Sequence, residues 1–229
     1  MSARPPASAA GTRTRRRAAA EPARPQRSAY HHGDLPRALI DAATRLIEED
    51  GVEAITLREV ARALGVNHAA AYRHFDDKAA LLAAIVTRWY RTLGERLRAA
   101  AARAPASDTR ARLERALGAY VQFALDSPAR FRTMFGERIN EDGRFPELET
   151  AIRESLGVLL EEIAAGQQAG HVRDGRPTDL ALGLWVAAHG YADMLLRRRI
   201  KARPKLAVAY LATLLAPAFD GLLVPPARR

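Results

Sequence analysis

Cysteine is absent from this 229-residue chain, which excludes disulfide frameworks, thiolate nucleophiles and cysteine-held zinc or iron–sulfur sites. No HExxH metal motif, phosphate-cradling glycine loop or serine elbow occurs either. His31 and His32 are adjacent, and no carboxylate cluster is placed to complete a metal site with them. The reading is therefore against an enzyme, a resident metal or a cofactor. Lysine is scarce: of 36 basic residues only Lys78, Lys201 and Lys205 are lysines, leaving 33 arginines. Long apolar runs are missing as well. The longest nearly apolar stretch, 206–219, is too short to span a bilayer. The N-terminal segment is basic and proline-rich, unlike a signal peptide. The expectation is a soluble cytoplasmic protein, nucleoid-associated, with no membrane partner.

Hydrophobic residues at 48% and charged residues at 27% are ordinary for a folded soluble chain, and the length allows one large domain or two small ones. Net charge is +10, a surplus that invites polyanions, although the preference for arginine also points to coding bias. Its position is informative. Residues 1–33 hold seven arginines and a single acid, Glu21. Residues 1–28 add four prolines and many alanines but no apolar periodicity, and are expected to be a disordered basic arm. Such an arm either solubilises the chain or follows a nucleic-acid backbone.

From Asp34 onward apolar residues recur at three- and four-residue spacing and no alternating strand pattern occurs, which predicts an all-α fold of about nine helices. Asp34 is expected to cap the first, with Pro36 in its first turn, a buried stripe of Ala38, Leu39, Ala42, Ala43, Leu46 and Ile47, and Gly51 as its stop. Thr56 caps a second over 57–64, with Glu59 at the capping-box spacing and Gly65 supplying a positive φ beyond it. Asn67 caps a third running to about Phe75. Asp76 and Asp77 precede a fourth over about 78–102. Further helices are predicted over about 108–125, 128–136, 146–170, 178–199 and 205–223.

Two short helices joined by a glycine turn make a helix-turn-helix pattern, and the same spacing also serves as plain structure in helical proteins. Val60, Ala61, Leu64, Val66, Ala71 and Phe75 turn inward. Arg58, Asn67, His68, Ala69, Ala70, Tyr72, Arg73 and His74 are left to present a polar, small-residue face of major-groove size. Residues 34–90 carry seven basic and nine acidic side chains, so this module is dipolar rather than uniformly basic.

The stretch from Tyr30 to Trp89, YHHGDLPRALIDAATRLIEEDGVEAITLREVARALGVNHAAAYRHFDDKAALLAAIVTRW, strongly resembles the DNA-binding domain of TetR/AcrR-family bacterial transcription regulators. The run from Ile55 through Gly65–Val66 to Tyr72–Arg73–His74–Phe75 and Lys78 carries the likeness, with Gly51 after the first helix. Where the family often has Ser or Thr this chain has Asn67, an equivalent cap, and Ala71 replaces a larger apolar residue. The segment LGLWVAAHGYADMLL, with Trp185, His189 and Gly190, looks like the WHG type of C-terminal domain in that family. The Ser127–Pro128 and Phe131–Phe135 segment and Tyr30–Gly33 fit it too. Beyond the arm read from composition (1–28), the resemblance implies a helix-turn-helix domain (29–78) and a helical regulatory and dimerisation domain (79–229). It further implies a homodimer joined through the last two helices, a double-stranded palindromic DNA operator, and an inducer of unknown identity.

On these supports Thr56 is expected at a phosphate, at the amide end of its helix. Arg58 matches a family position that reaches a base, where a guanidinium can read guanine. Tyr72, His74 and Lys78 are expected around phosphates, Asn67 and His68 at base edges, and Ala69 and Ala70 against a thymine methyl, with Arg73 a further DNA-binding candidate on the outward face. In the C-terminal half, Leu180, Leu184, Ala187, Tyr191 and Leu195 form one apolar stripe, with Trp185, Ala192, Leu196 and His189 on another. Leu206, Tyr210, Thr213, Leu214 and Pro217 repeat the idea on the last helix. Trp89, Phe123, Phe131, Met134, Phe135, Trp185 and His189 are candidates to line an apolar ligand pocket, though the same residues also make ordinary core. The function expected is a ligand-responsive repressor. The alternatives are a helical small-molecule-binding protein or enzyme with a structural helix-turn-helix, and a DNA-binding activator without inducer.

Overall fold

Apolar residues spaced three and four apart fold into helices that bury them along one side, and the computed structural model describes this for residues 34–136, 139–140 and 143–225. The basic arm (1–28) and the Tyr30–His31–His32–Gly33 stretch lie outside the described residues. Nine α-helices and no strands are found among those described: α1 (Leu35–Asp50), α2 (Leu57–Ala63), α3 (His68–Tyr72), α4 (Lys78–Ala101), α5 (Thr109–Asp126), α6 (Pro128–Phe135), α7 (Pro146–Gln168), α8 (Pro177–Leu196) and α9 (Pro204–Leu222). None is long and apolar enough to cross a membrane.

The predicted caps are made where the side chain reaches a free amide. Thr56 accepts from the Glu59 amide at 3.2 Å and Asn67 from Ala69 at 2.9 Å; Asp108, expected only near the start of its helix, makes a further cap by accepting from Ala111 at 2.9 Å. Asp34 departs from expectation, because its side chain makes no capping bond and lies 3.9 Å from Arg37 instead. Leu35 joins the buried stripe of α1, whereas Ala38 and Leu46 are only half-buried. α3 ends at Tyr72, short of Phe75, because the His74 and Phe75 amides both fold back onto the Ala71 carbonyl and drive the Phe75 ring into the core. α8 ends at Leu196, short of Arg199. There Arg198 adopts φ 54° and the Arg199 and Ile200 amides both close on the Met194 carbonyl.

α4 organises the rest. Its 24 residues begin beside the α2–α3 pair and run through the C-terminal bundle, burying Leu81, Ile85, Trp89, Leu93 and Leu97. A Cβ on Gly94 would stand 3.1 Å from the Ser155 Cα, so this glycine permits the close crossing of α4 and α7. Arg112 clamps α5 to α7 with two bonds of 2.6 Å to the Glu162 carboxylate. α7 starts beside the head of α4, where Arg144 meets Asp77 at 2.8 Å, and travels away from it. α8 returns, and α9 runs back along it. An isolated bridge pairs Val172, before α8, with Leu223, after α9.

Candidate nucleic-acid interface and the aromatic cluster

The α2–α3 pair sorts its residues by polarity. Val60, Ala61, Ala71 and Phe75 are buried, and Leu64 and Val66 are half-buried against them. Arg58, Asn67, His68, Ala69, Tyr72, Arg73 and His74 are exposed, while Ala70 is half-buried. Gly65 takes φ 66° in the turn, a left-handed conformation that is strained for residues with a side chain. Arg58, His68, Tyr72, Arg73 and His74 have no side-chain hydrogen bond or ion pair with any described residue. Five exposed donors of this helix pair are therefore open to solvent. Thr56 is occupied differently, since its hydroxyl donates to the Glu59 carboxylate at 3.0 Å while accepting the cap bond. Lys78 is half-buried and its ammonium donates to the Glu53 carbonyl at 3.2 Å, pinning the loop before α2 to the head of α4.

That head has a second anchor which sequence reasoning missed. Asp77 accepts from the Ala80 amide at 2.8 Å and from Arg144 at 2.8 Å. The Ala80 amide, then Arg144, hold its carboxyl below the usual range. The position of Asp77, immediately before an apolar helical run, made its capping role findable, but Arg144, 67 residues away, gave no sequence signal.

In the bundle, four of the predicted pocket residues form one cluster. Phe131 and Phe135 of α6 lie 4.8 Å apart, His189 of α8 stacks on Phe131 at 5.3 Å and meets Phe135 edge-on at 4.9 Å, and Trp185 lies 5.2 Å from His189. Tyr120 of α5 joins them and its hydroxyl is 2.7 Å from the His189 Nδ1. Burial lowers the His189 pKa, opposed by the Asp193 charge, and burial raises that of Tyr120. A neutral imidazole hydrogen-bonded to a phenol follows. Met134 is buried beside Phe135, its carbonyl accepting from Tyr90 at 3.1 Å, and with them it lines a cavity of about 220 Å³. Trp89 and Phe123 are not brought into the cluster. Both are buried, with Arg130 lying 5.8 Å over Trp89 and Arg96 5.6 Å over Phe123. Tyr120 and Tyr90 were the omissions. The buried stripe Leu113, Leu117, Tyr120, Val121 and Ala124 put Tyr120 on the core side of α5, where a phenol needs a partner.

On α8 and α9 the apolar stripes divide. Leu184, Ala188, Tyr191, Ala192 and Leu195 face the core with Ala207, Leu211, Leu215 and Phe219, and the Tyr191 hydroxyl donates to the Ala207 carbonyl at 3.0 Å. Ala187, expected with the first group, is exposed. It joins a second face of Leu182, Val186 and Met194 on α8 with Leu206, Tyr210 and Leu214 on α9, large apolar residues between 42% and 61% exposed.

Comparison with known proteins agrees with this geometry. Residues 39–85 match the family described as bacterial regulatory proteins of the tetR family, and residues 113–216 match the tetracyclin repressor-like C-terminal domain. The HTH-type transcriptional regulator BetI of Rhizobium meliloti is 44% identical over 50 residues, which is 22% of this chain and 25% of that protein. The chain thus matches about a quarter of the length of that curated relative. Among solved structures, a Rhodococcus sp. RHA1 protein of unknown function is 31% identical with a TM-score of 0.74, covering 86% of this chain and all of the other. A TetR/AcrR-family regulator from Thermobifida fusca shares the fold at 22% identity and a TM-score of 0.60, covering 86% of this chain and 100% of its own. With a DNA-reading module matched over residues 39–85, a C-terminal domain matched over residues 113–216 and nine α-helices among the described residues, the chain belongs to the TetR family of bacterial DNA-binding transcription regulators.

Proposed function

We propose that the chain is a homodimeric, ligand-responsive repressor that binds a palindromic DNA operator. The observation that carries this reading is the outward polar face of α2–α3, whose Arg58, His68, Tyr72, Arg73 and His74 have no partner among the described residues. In this reading Arg58, Asn67 and His68 meet base edges, Ala69 and Ala70 allow close approach, and Tyr72, Arg73 and His74 hold phosphates. Thr56 and Lys78 contribute the amide end and charge of their helices, after first fixing the loop geometry.

Dimerisation through α8 and α9 is supported by the exposed apolar face and by its glycines. A Cβ on Gly183, Gly190 or Gly221 would meet nothing within 4 Å, so packing within one chain gives no reason for them. Glycine inside a helix costs about 1 kcal/mol against alanine, a cost explained if a second copy packs closely there. In the same reading the ligand sits at the Phe131, Phe135, Trp185 and His189 cluster and the adjoining cavity, where α6 touches α1 and Arg130 meets Glu48 at 2.7 Å. Trp89 and Phe123 fall outside that site. A regulator without inducer is the second reading, favoured by rings that already pack on one another.

The test is fluorescence anisotropy with duplexes that the protein selects from a random pool. A selected duplex should bind at least ~10³-fold more tightly than random DNA, with strong salt dependence. Equal affinity for both sinks the reading.

A further inference from the structure

The connection between α8 and α9 carries Arg197, Arg198, Arg199, Lys201 and Arg203 within seven residues, without an acid. All five are exposed. Asp193 holds Arg197 through bonds of 2.8 and 2.7 Å. Arg198, Arg199, Lys201 and Arg203 have no side-chain hydrogen bond or ion pair with any described residue. Four cations are thus concentrated on one short loop with no described residue to neutralise them.

The backbone gives a second, independent observation. Arg198 is the one non-glycine residue with positive φ among those described, at 54°. It sits where the Arg199 and Ile200 amides close on the Met194 carbonyl, a helix ending that favours glycine because a Cβ crowds the following carbonyl. Local conformation therefore argues for glycine at this place and does not account for an arginine.

Topology then sets where the loop lies. α7 begins next to the head of α4, at the contact between Arg144 and Asp77, and runs away for 23 residues. α8 comes back over 20 residues, and at 1.5 Å per residue the two lengths nearly match. His189 agrees with that direction: it stacks on Phe131 of α6, which is tied to α1 next to it, and α8 continues seven residues beyond. The basic loop accordingly stands at the end of the bundle that carries the α2–α3 reader. That reader module, with seven basic and nine acidic residues over 34–90, has no surplus positive charge of its own to draw a polyanion.

We infer that the α8–α9 loop is a second DNA-contacting surface, in which Arg198, Arg199, Lys201 and Arg203 meet the phosphate backbone between the two half-sites. This rests on the operator-binding reading above. Two-fold pairing through α8 and α9 gathers two such loops at the reader end, where their mutual repulsion is relieved by the duplex that both readers grip. The loop supplies charge and no base preference, since nothing fixes the side chains in a reading geometry.

The experiment uses the full chain and a duplex selected by the wild type, with affinity measured across ionic strength. A variant combining Arg198→Gly, Arg199→Gln, Lys201→Gln and Arg203→Gln should lower the slope of log affinity against log salt by about 0.9 for each phosphate no longer neutralised, and leave base preference intact. Arg103→Gln with Arg115→Gln, exposed arginines just beyond α4 and in the first half of α5, should leave the slope unchanged. Arg198→Gly alone should keep or raise the melting temperature while weakening binding, which separates an effect on DNA from an effect on folding. An unchanged slope in the four-site variant, or an equal fall in the Arg103/Arg115 control, overturns the inference while operator binding stands. Loop-dependent binding of the wild type to phosphatidylglycerol vesicles, with an unchanged DNA slope, overturns it in favour of a lipid surface. Failure of the wild type to select any duplex overturns the operator-binding reading itself.

Discussion

Arg58 lies on the exposed rim of α2, two residues past the Thr56 cap, with no partner among the described residues. A guanidinium placed to read guanine contributes discrimination of about 1–3 kcal/mol, so Arg58→Ala should weaken operator binding by that amount and relax preference at one position per half-site. Equal losses on operator and random DNA, measured by anisotropy, would remove it from base reading. His189 offers a different test. Burial lowers its pKa, so the folded state favours the neutral ring; that contribution is complete above the unfolded value near ~6.5 and is lost as pH falls from there through the lowered folded value. Melting temperature should drop on acidification from neutral pH more in the wild type than in His189→Asn. Caps such as Thr56 and Asn67 were legible in the sequence because donor and acceptor lie two or three residues apart. The Tyr120 partner of His189 was not, because 69 residues separate them and only the folded bundle joins them.

At the level of helices, periodicity revealed type and number, but ends and faces less well. The stops of α3 and α8 depend on amides folding back to Ala71 and Met194, a choice made by tertiary packing of Phe75 and by the Arg198 backbone rather than by any breaker residue. Both apolar sides of α8 were visible in its sequence; which side meets the core required α5 and α9. The outward side carries Gly190, where an added side chain has open space within its own chain. Gly190→Leu should therefore leave a folded chain and disrupt pairing of two copies, with the sedimentation coefficient moving from dimer to monomer and operator affinity falling, because each half-site is then held separately. A dimer of unchanged stability in this variant would move the interface elsewhere.

Across the whole molecule, α4 is the continuous element between the reader and the bundle, and α6 is the crosspiece. Arg130 of α6 binds Glu48 of α1, and Arg144 beyond α6 binds the Asp77 cap of α4, so the segment carrying Phe131 and Phe135 also holds the reader at two points. His189 and Trp185 press on those same rings from α8. A ligand entering between α6 and α8 must displace the rings, and α6 cannot shift without stressing its ties to α1 and α4. Because packed cores switch between discrete arrangements rather than deform smoothly, the expected consequence in the proposed dimer is a change in the spacing of its two recognition helices. Such coupling is typically about 1–3 kcal/mol, enough to alter operator occupancy severalfold to a hundredfold. A thermal-shift screen of small apolar and amphipathic compounds should yield hits that stabilise the wild type, lose their effect in Trp185→Ala/His189→Ala, and weaken operator binding. In an Arg130→Gln/Arg144→Gln variant the same compounds should still bind, but the change in operator affinity should shrink. Hits that stabilise both proteins equally would place the ligand outside the cluster, and full coupling in the arginine variant would show that α6 does not transmit it.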